Sequence, residues 1–329
     1  MIVTRTPFRI SFFGGGTDYP AYYLEYGGEV LSTTINKYCY ITCRYLPPFF
    51  EYKNRIRYSE TEMTQAIEDI RHPSVRECLR FMGIKKGIEM VHTSDIPAMS
   101  GIGSSSSFTV GLLHALHALK GEMVTRRHLA FEAIHVEQDL IGESVGSQDQ
   151  TAAAFGGFNH ILFGGKKDGI FVQPVVLTEE KSRVLQDHLL FYFTGFSRYS
   201  SSIAAEQINR TKQNLQELKT MREMVGEALK ILNGDASKYD DFGKLLHESW
   251  MLKRGLTTLI SNSQIDDIYD TARRNGALGG KLCGAGGGGF ILLFVPPDRQ
   301  AAVKGVLRNL LLVPMRFENL ASHIVFYST

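Results

Sequence analysis

The feature that most constrains this chain is residues 96–108, where a loop of proline, glycine and serine leads directly into a helical pattern. One proline and two glycines interrupt the first half, so regular helix is excluded there. Four consecutive serines follow at 104–107, and apolar residues then recur at helical spacing until Gly121. We therefore predict a glycine- and serine-rich loop that ends at the N-terminus of a helix.

A loop of this kind is suited to binding anions. Unpaired backbone N–H groups converge at a helix N-terminus, the helix dipole adds partial positive charge, and glycine allows a phosphate group to approach the backbone. Serine hydroxyls donate to phosphate oxygens or serve as Mg²⁺ ligands. A simple serine-capped helix is the alternative, but it accounts for one serine rather than four. We therefore expect phosphate binding here.

Composition narrows the class of protein. The 329 residues suggest two domains, and 36 basic against 34 acidic side chains give a formal net charge of +2. Because no block of like charge stands out, neither nucleic acid nor a membrane surface is the expected partner. No apolar run is long enough for a membrane span, and the start lacks a signal-peptide core. Four cysteines without zinc spacing indicate reduced thiols in a cytoplasmic protein.

Strands and helices alternate along the chain. Strands are predicted over 2–13, 30–35, 38–45, 88–92, 158–163, 189–194, 290–295 and 323–327, and helices over 61–70, 74–81, 126–141, 203–232, 242–259, 265–275 and 298–311. The order in the second half favours a ferredoxin-like α+β sandwich. We place the boundary after residue 175, which gives an N-terminal domain of 1–175 and a C-terminal domain of 176–329.

Two acidic residues are candidates for chemistry. Glu137 has only apolar helical neighbours, and a carboxylate on a buried face is costly unless a cation or metal compensates it. It is therefore a candidate Mg²⁺ ligand, although a half-exposed glutamate at the edge of that face fits equally well. Asp149 precedes a run of small residues and could act as a general base, or simply cap a short helix.

Two glycine clusters flank these residues. The first, Gly14 to Gly16, precedes Asp18, whose short carboxylate could hold a pair of hydroxyls or lie solvated in a turn. Arg9, in the preceding strand, could equally well face solvent. The second cluster, residues 284–289, follows a helix and opens a strand. This context is the reverse of a dinucleotide-binding loop, so we reject that interpretation.

Taken together, these features resemble the galactokinase, homoserine kinase, mevalonate kinase and phosphomevalonate kinase (GHMP) superfamily over nearly the full length. Three motifs occur in the family's order, at residues 6–19, 97–107 and 281–289. The resemblance implies an α+β fold of two domains. The N-terminal domain would be ribosomal-protein-like α/β, and the C-terminal domain ferredoxin-like.

The resemblance also implies roles for individual residues. ATP would lie with its phosphates on the second motif, Mg²⁺ would bind Ser105 and Glu137, Asp149 would accept the proton of the attacking hydroxyl, and Arg9 would stabilise charge beside Asp149. The ATP-binding residues would be Pro97, Ser100, Gly101, Ile102, Gly103, Ser104, Ser105 and Ser106. The substrate-binding residues would be Gly15, Gly16, Thr17, Asp18, Arg198, Gly286 and Gly287.

The substrate is suggested by departures from the galactokinase pattern. Galactokinases carry Gly-Glu-His-Thr-Asp-Tyr where this chain has three glycines at 14–16, which leaves room and removes a negative charge. With residues 146–150 and 193–198, this motif resembles D-glycero-D-manno-heptose 7-phosphate kinases, which phosphorylate the anomeric hydroxyl to give the 1,7-bisphosphate. Arg198 would bind the substrate's phosphate, with Lys37 and Arg44 as further candidates.

Two alternatives stay open at this point. One is a kinase of a free sugar, similar to fucokinase or galactokinase. The other is a sensor that binds sugar and ATP without catalysis, although a sensor has no need of the base Asp149. The sequence leaves the oligomeric state open, a homodimer included.

Overall fold

Two β-sheets organise the fold, which is α+β as predicted. The computed structural model describes residues 1–98, 100–165, 169–195 and 200–328. Its strands are β1 (Ile2–Phe13), β2 (Gly28–Tyr45), β3 (Asn54–Arg57), β4 (Thr61–Thr64), β5 (Ile88–Ser94), β6 (Phe158–Phe163), β7 (Ile170–Pro174), β8 (Leu189–Phe193), β9 (Gly279–Leu282), β10 (Phe290–Phe294), β11 (Leu311–Leu312), β12 (Phe317–Glu318) and β13 (His323–Tyr327).

Helices cover these sheets and separate the strands along the chain. They are α1 (Pro20–Tyr26), α2 (Pro73–Phe81), α3 (Ser104–Lys120), α4 (Arg126–His135), α5 (Gln148–Phe155), α6 (Glu179–Asp187), α7 (Ser200–Asn209), α8 (Leu215–Asn233), α9 (Tyr239–Gly255), α10 (Ser263–Arg274) and α11 (Gln300–Val306). Helix α4 continues as π-helix over Val136–Ile141, so the predicted helix 126–141 is present with a widened last turn. Among the described residues, no helix combines the length and apolarity of a membrane span.

The larger sheet has the strand order β13-β1-β2-β5-β3-β4, with β6 and β12 also pairing with β2, and β7 with β6. The smaller sheet has the order β11-β8-β10-β9. The predicted strands 30–35 and 38–45 form one continuous strand, β2, because β1 pairs with both parts and absorbs the irregularity as a register shift between Pro7 and Phe8.

A shared aromatic core joins the two sheets. Phe12 and Phe13 of β1 contact Phe242 of α9, with ring centroids 5.5 and 5.1 Å apart, and Phe242 in turn meets Phe294 of β10 at 6.0 Å. Strands β12 and β13 also return to the larger sheet from the end of the chain. The two halves of the chain are thus held against each other where β1 ends, at the first glycine motif.

Three of the predicted helices were wrong in extent or type. The helix predicted over 298–311 ends at Val306, and Leu311–Leu312 pair with β8 as strand β11. Residues 61–64 form strand β4 rather than helix, because β4 pairs with β3 and the buried Glu62 accepts hydrogen bonds from the backbone of Arg71 and His72. The predicted helix 203–232 is two helices, α7 and α8. The polar residues 210–214 separate them, and Asn214 donates from its side chain to the carbonyl of Leu256 at 2.9 Å.

Candidate active site

The predicted phosphate-binding loop leads into α3 through two glycines with left-handed backbone. Gly101 has φ +79° and Gly103 has φ +76°, and α3 starts at Ser104 without a side-chain cap. Gly101 packs directly on Gly284 of the third motif, so an added Cβ on Gly284 would lie 2.6 Å from the carbonyl oxygen of Gly101. The loop is therefore fixed in shape, while the first N–H groups of α3 stay free of helical partners.

Arg9 connects this loop to the predicted base. Its Nε and Nη2 atoms donate to the two carboxylate oxygens of Asp149 at 2.7 Å each, and its Nη1 donates to the carbonyl of Gly101 at 2.8 Å. Arg9 is buried, whereas about a quarter of the Asp149 side chain is exposed. A two-point pair of this kind fixes the orientation of the carboxylate and leaves it facing the cavity. Asp149 lies in the first turn of α5, whose N-cap is Ser147, so the alternative that Asp149 caps this helix was wrong.

Glu137 is fully buried in the π-helical turn behind the serines. Its Oε2 accepts hydrogen bonds from the side chains of Ser106, at 2.8 Å, and Gln150. Its Oε1 is buried and has no hydrogen-bond partner among the described residues. Burial raises the pKa of Glu137 to about 7. A buried oxygen without a donor, beside serine hydroxyls, is a site that fits a hard cation.

The first glycine motif forms the opposite wall. Asp18 is buried, and its Oδ1 accepts from the backbone N–H of Gly16 at 3.0 Å. The backbone N–H of Ser147 donates to the carbonyl of Asp18 at 2.9 Å, which ties this turn to the segment that carries Asp149. Burial raises the pKa of Asp18. The two aspartates thus face a common space.

That space is a cavity of about 290 Å³. Its lining includes Arg9, Gly16, Asp18, Gly101, Gly103, Ser104, Ser105, Ser106, Gln148, Asp149, Lys253 and Gly284. A second cavity, of about 620 Å³, adjoins it, and Ser104 and Ser105 line both. In the second cavity the rings of His72 and Phe108 stack at 4.8 Å, and Pro97 forms part of the wall. The serines therefore stand between a polar cavity and an aromatic one.

Several predicted binding residues lie elsewhere. The Thr17 hydroxyl donates to the carbonyl of Gly14 in its own turn and to the carbonyl of Glu29 on β2, so it fastens the turn to the sheet and does not line the cavity. Gly286 and Gly287 pack against the backbone of Ile260, and their neighbour Gly284 lines the cavity instead. Ile102 is buried in the apolar core.

Three other residues predicted to bind ATP or substrate are not among those that line the cavity. Ser100 is buried beneath the loop, where a Cβ on Gly289 would lie 2.2 Å from its carbonyl oxygen. Gly15 lies behind the cavity wall, next to Lys253. Arg44 pairs with Glu89 at 2.6 Å on the larger sheet. Arg198 lies outside the described residues.

Ser105 is not placed against Glu137. Its side chain is exposed and lines both cavities, whereas the neighbouring Ser106 donates to Glu137. The reason is helical geometry, because successive residues of α3 point about 100° apart and only one of them can face the π-helical turn.

Lys253 and Gln148 are two buried polar cavity residues to which the sequence assigned no role. Lys253 is on α9 and is 5% exposed, and burial lowers its pKa to about 8. The sequence signal was weaker than for Glu137, because the helical neighbours Trp250 and Leu256 are apolar but Ser249 and Thr257 are polar. Gln148 gave no such signal, since it begins a short helix. Lys281, in the third motif, is also buried, and burial lowers its pKa to about 7.

Comparison with known proteins agrees with this geometry. Residues 66–157 match the GHMP kinases N terminal domain, and residues 224–311 match the GHMP kinases C terminal domain. The D-glycero-alpha-D-manno-heptose 7-phosphate kinase of Campylobacter jejuni is 31% identical over 320 residues, which cover 94% of this chain and 93% of that protein. The L-fucokinase/L-fucose-1-P guanylyltransferase of Bacteroides fragilis is 28% identical, over 91% of this chain and 35% of that protein.

The fold has a solved counterpart of the same extent. The crystal structure of a D-glycero-D-manno-heptose 1-phosphate kinase from Bacteroides thetaiotaomicron aligns with a TM-score of 0.80 over 100% of both chains, at 23% identity. The match in fold, the two family domains and the full-length relative all agree with the three sequence motifs. The chain belongs to the GHMP kinase family.

Proposed function

We propose that this kinase transfers the γ-phosphoryl group of ATP to the anomeric hydroxyl of D-glycero-D-manno-heptose 7-phosphate. The observation that carries the proposal is the two-point pair between Arg9 and Asp149, held beside the start of α3. The choice of substrate is supported by the Campylobacter jejuni relative and by the three glycines at 14–16.

In this proposal Asp149 is the base. It accepts the proton that the sugar hydroxyl loses while the hydroxyl oxygen bonds to the γ-phosphorus and the bond to the ADP oxygen breaks. Arg9 keeps both oxygens of Asp149 in place and adds positive charge where negative charge accumulates. Phosphoryl transfer depends chiefly on such positioning and charge neutralisation, and the site offers both.

The nucleotide would span the two adjoining cavities. Its base would lie in the larger one, where His72 and Phe108 offer an aromatic stack, and its phosphates would lie over Gly101 to Ser106. The N–H groups at the start of α3 would bind phosphate oxygens.

A magnesium ion fits beside Glu137. The Oε1 of that carboxylate has no hydrogen-bond partner among the described residues, and the Ser106 hydroxyl donates to its other oxygen. Ser105, which lines the cavity, is the serine that the family resemblance assigns as the second ligand. When bound, Mg²⁺ neutralises phosphate charge. The buried carboxylate is then no longer an uncompensated group.

The substrate test measures ATP turnover on a panel of five sugars. They are D-glycero-D-manno-heptose 7-phosphate, mannose 6-phosphate, galactose, fucose and mannose. We expect the highest kcat/KM for the heptose phosphate, with the product phosphorylated at carbon 1 by phosphorus NMR. Turnover only on a free sugar would contradict the proposed substrate. Binding without turnover on all five would favour the sensor.

The mechanistic test replaces Asp149 by Asn. Removing the base should lower kcat by about 10²–10⁴-fold, while ATP still binds because the phosphate loop is intact. Asp241→Asn changes an exposed aspartate of α9 and serves as the matched control. Unchanged turnover in Asp149→Asn would remove this residue from the mechanism.

A further inference from the structure

Lys253 is a buried cation with little to hold it. It lines the cavity beside Asp18, it is 5% exposed, and its Nζ makes one long hydrogen bond of 3.3 Å to the carbonyl of Gly15. Within the described part of the chain it forms no ion pair shorter than 4 Å. A buried ammonium group without a close carboxylate destabilises a fold, so its presence at the cavity wall points to a ligand.

Gln148 is a second buried polar group in the same wall. It is 9% exposed, it lines the cavity, and its Oε1 is buried without a hydrogen-bond partner among the described residues. Gly15 lies between the two side chains, since a Cβ built on Gly15 would be 3.6 Å from the Lys253 Nζ and 3.8 Å from the Gln148 Nε2. The lysine from α9 and the glutamine from α5 therefore converge on one spot.

We propose that Lys253 and Gln148 form a hydroxyl-binding pair that positions the sugar beside Asp18. This inference rests on the proposed function in so far as the substrate is a sugar. The unpaired oxygen of Gln148 needs a donor, and Lys253 supplies donors. A sugar hydroxyl both donates and accepts, so it satisfies both residues at once.

The same chemistry argues against a phosphate group at this spot. A phosphate dianion has no proton to donate to the Gln148 oxygen. It would also lie near Asp18, one of the acids whose charges act on Lys253 together with Asp149. The pair therefore binds hydroxyl groups of the sugar, and the substrate's own phosphate group binds elsewhere.

The first test compares a free sugar with its phosphate, mannose and mannose 6-phosphate, in Lys253→Met and Gln148→Leu. Loss of a hydrogen bond to a charged group predicts a rise of about 10–100-fold in the KM for sugar with Lys253→Met, and about tenfold with Gln148→Leu. The rise should be equal for both sugars, and the KM for ATP should not change. A rise confined to the phosphorylated sugar, or no rise, would overturn the proposal.

The fold is monitored in parallel. Lys253→Met removes an uncompensated buried charge, so its Tm should equal or exceed that of the wild type. Lys244→Met, at an exposed lysine on the same helix, is the matched control and should change neither Tm nor KM. A fall in Tm without a change in KM would assign Lys253 a structural role.

A second variant tests the location without touching either side chain. Gly15 lies outside the left-handed region, and a Cβ there would make only ordinary van der Waals contacts, so Gly15→Ala should fold normally. Its methyl group would occupy the space between Lys253 and Gln148 and raise the KM for sugar at least about fivefold. Gly226→Ala, with nothing within 4 Å, is the control. An unchanged KM in Gly15→Ala would overturn the location.

Failure of this inference is distinguishable from failure of the proposed function. If the wild type phosphorylates only free sugars, the proposed substrate is wrong, and the pair is still tested on mannose. If no sugar is turned over, calorimetric binding of the same sugars to the same variants replaces KM. Equal binding by the wild type and Lys253→Met would then overturn the pair.

Discussion

At the scale of single residues, the proposed magnesium site depends on the two oxygens of Glu137. One accepts hydrogen bonds from Ser106 and Gln150, and the other is bare. Because burial raises the pKa of this carboxyl group to about 7, the charged form is costly unless a cation compensates it. Ser106, which fixes the first oxygen, thereby decides where the second one points.

The serines offer a direct comparison. In Ser106→Ala the carboxylate loses a 2.8 Å donor, and we expect the Mg²⁺ concentration for half-maximal activity to rise about tenfold. Ser105→Ala leaves this hydrogen bond intact and is the matched variant. The measurement is the initial rate against Mg²⁺ at saturating ATP. A larger effect of Ser105→Ala would instead support Ser105 as the Mg²⁺ ligand, as the family resemblance implies.

Single residues also mark the limit of prediction from sequence. The burial of Glu137 was predictable because helical spacing identifies its neighbours. The pairing of Arg9 with Asp149 was not predictable from local pattern, because 140 residues separate them and strand alternation defines only a face; the expectation came from the family resemblance. Lys253 was not predictable in the same way, because α9 has the pattern of an ordinary amphipathic helix and polar residues stand beside Lys253 on its own face.

At the scale of elements, the second and third motifs act as one unit. Gly101 and Gly284 both have left-handed backbone, at φ +79° and +75°. A Cβ on Gly284 would overlap the backbone of Gly101, and a Cβ on Gly101 would lie 2.5 Å from the carbonyl oxygen of Cys283. This contact fixes the phosphate loop from below. The glycine run at 284–289 connects β9 to β10, and these two paired strands hold it against the phosphate loop.

The contact predicts a difference between two Gly→Ala variants. Gly83→Ala introduces a Cβ at φ +62° into open space and should cost about 1–2 kcal/mol of unfolding free energy. Gly284→Ala adds an overlap with the backbone of Gly101, so it should cost about 3–5 kcal/mol and also raise the KM for ATP. Urea denaturation and ATP kinetics measure both. Equal costs would show that the motifs are not tightly packed.

Elements also show why some boundaries were wrong. The segment 61–64 carries no strand signal by itself, and it becomes a strand because β3 pairs with it and Glu62 finds backbone donors. The break between α7 and α8 lies in a polar stretch that an amphipathic pattern bridges, and its side-chain contact is to Leu256, far along the chain. Both outcomes depend on long-range partners that local periodicity does not contain.

At the scale of the whole molecule, the chain's end holds together elements from its beginning. The Ser322 hydroxyl contacts Thr6 of β1 at 2.8 Å and His114 of α3 at 3.1 Å, and its backbone N–H donates to Ala153 of α5 at 3.0 Å. The predicted domain boundary lies after residue 175. Strands β12 and β13, although they come after it in the sequence, pair with the larger sheet, to which β1 and β2 belong. The last residues of the chain therefore pack against strands and helices of the N-terminal half.

This arrangement buries histidines that resist protonation. Burial lowers the pKa of His92 and of His114 to about 4, from an ordinary value of 6.5. Between these values the unfolded chain protonates these two histidines and the folded chain does not, so their contribution lowers the unfolding free energy as the pH drops from about 6.5 toward 4. The lowered pKa values of Glu62 and Glu89 act only below about 4.5. Glu137, whose pKa burial raises to about 7, acts in the same window with the opposite sign, because the folded chain binds that proton before the unfolded chain does. The contribution of the histidines is therefore isolated by comparing variants.

His114→Gln tests the contribution of His114, which contacts Ser322, to the pH dependence of the unfolding free energy. An amide in place of the imidazole cannot take up a proton, so the variant should lose about 1 kcal/mol less stability than the wild type between pH 6.5 and 5. His117→Gln is the comparison of opposite sign, because the hydrogen bond that the protonated His117 ring donates to Glu132 raises the pKa of His117, and this stabilises the fold at low pH. Its removal should steepen the pH dependence. Urea denaturation at four pH values measures both, and parallel slopes in all three proteins would contradict the assignment.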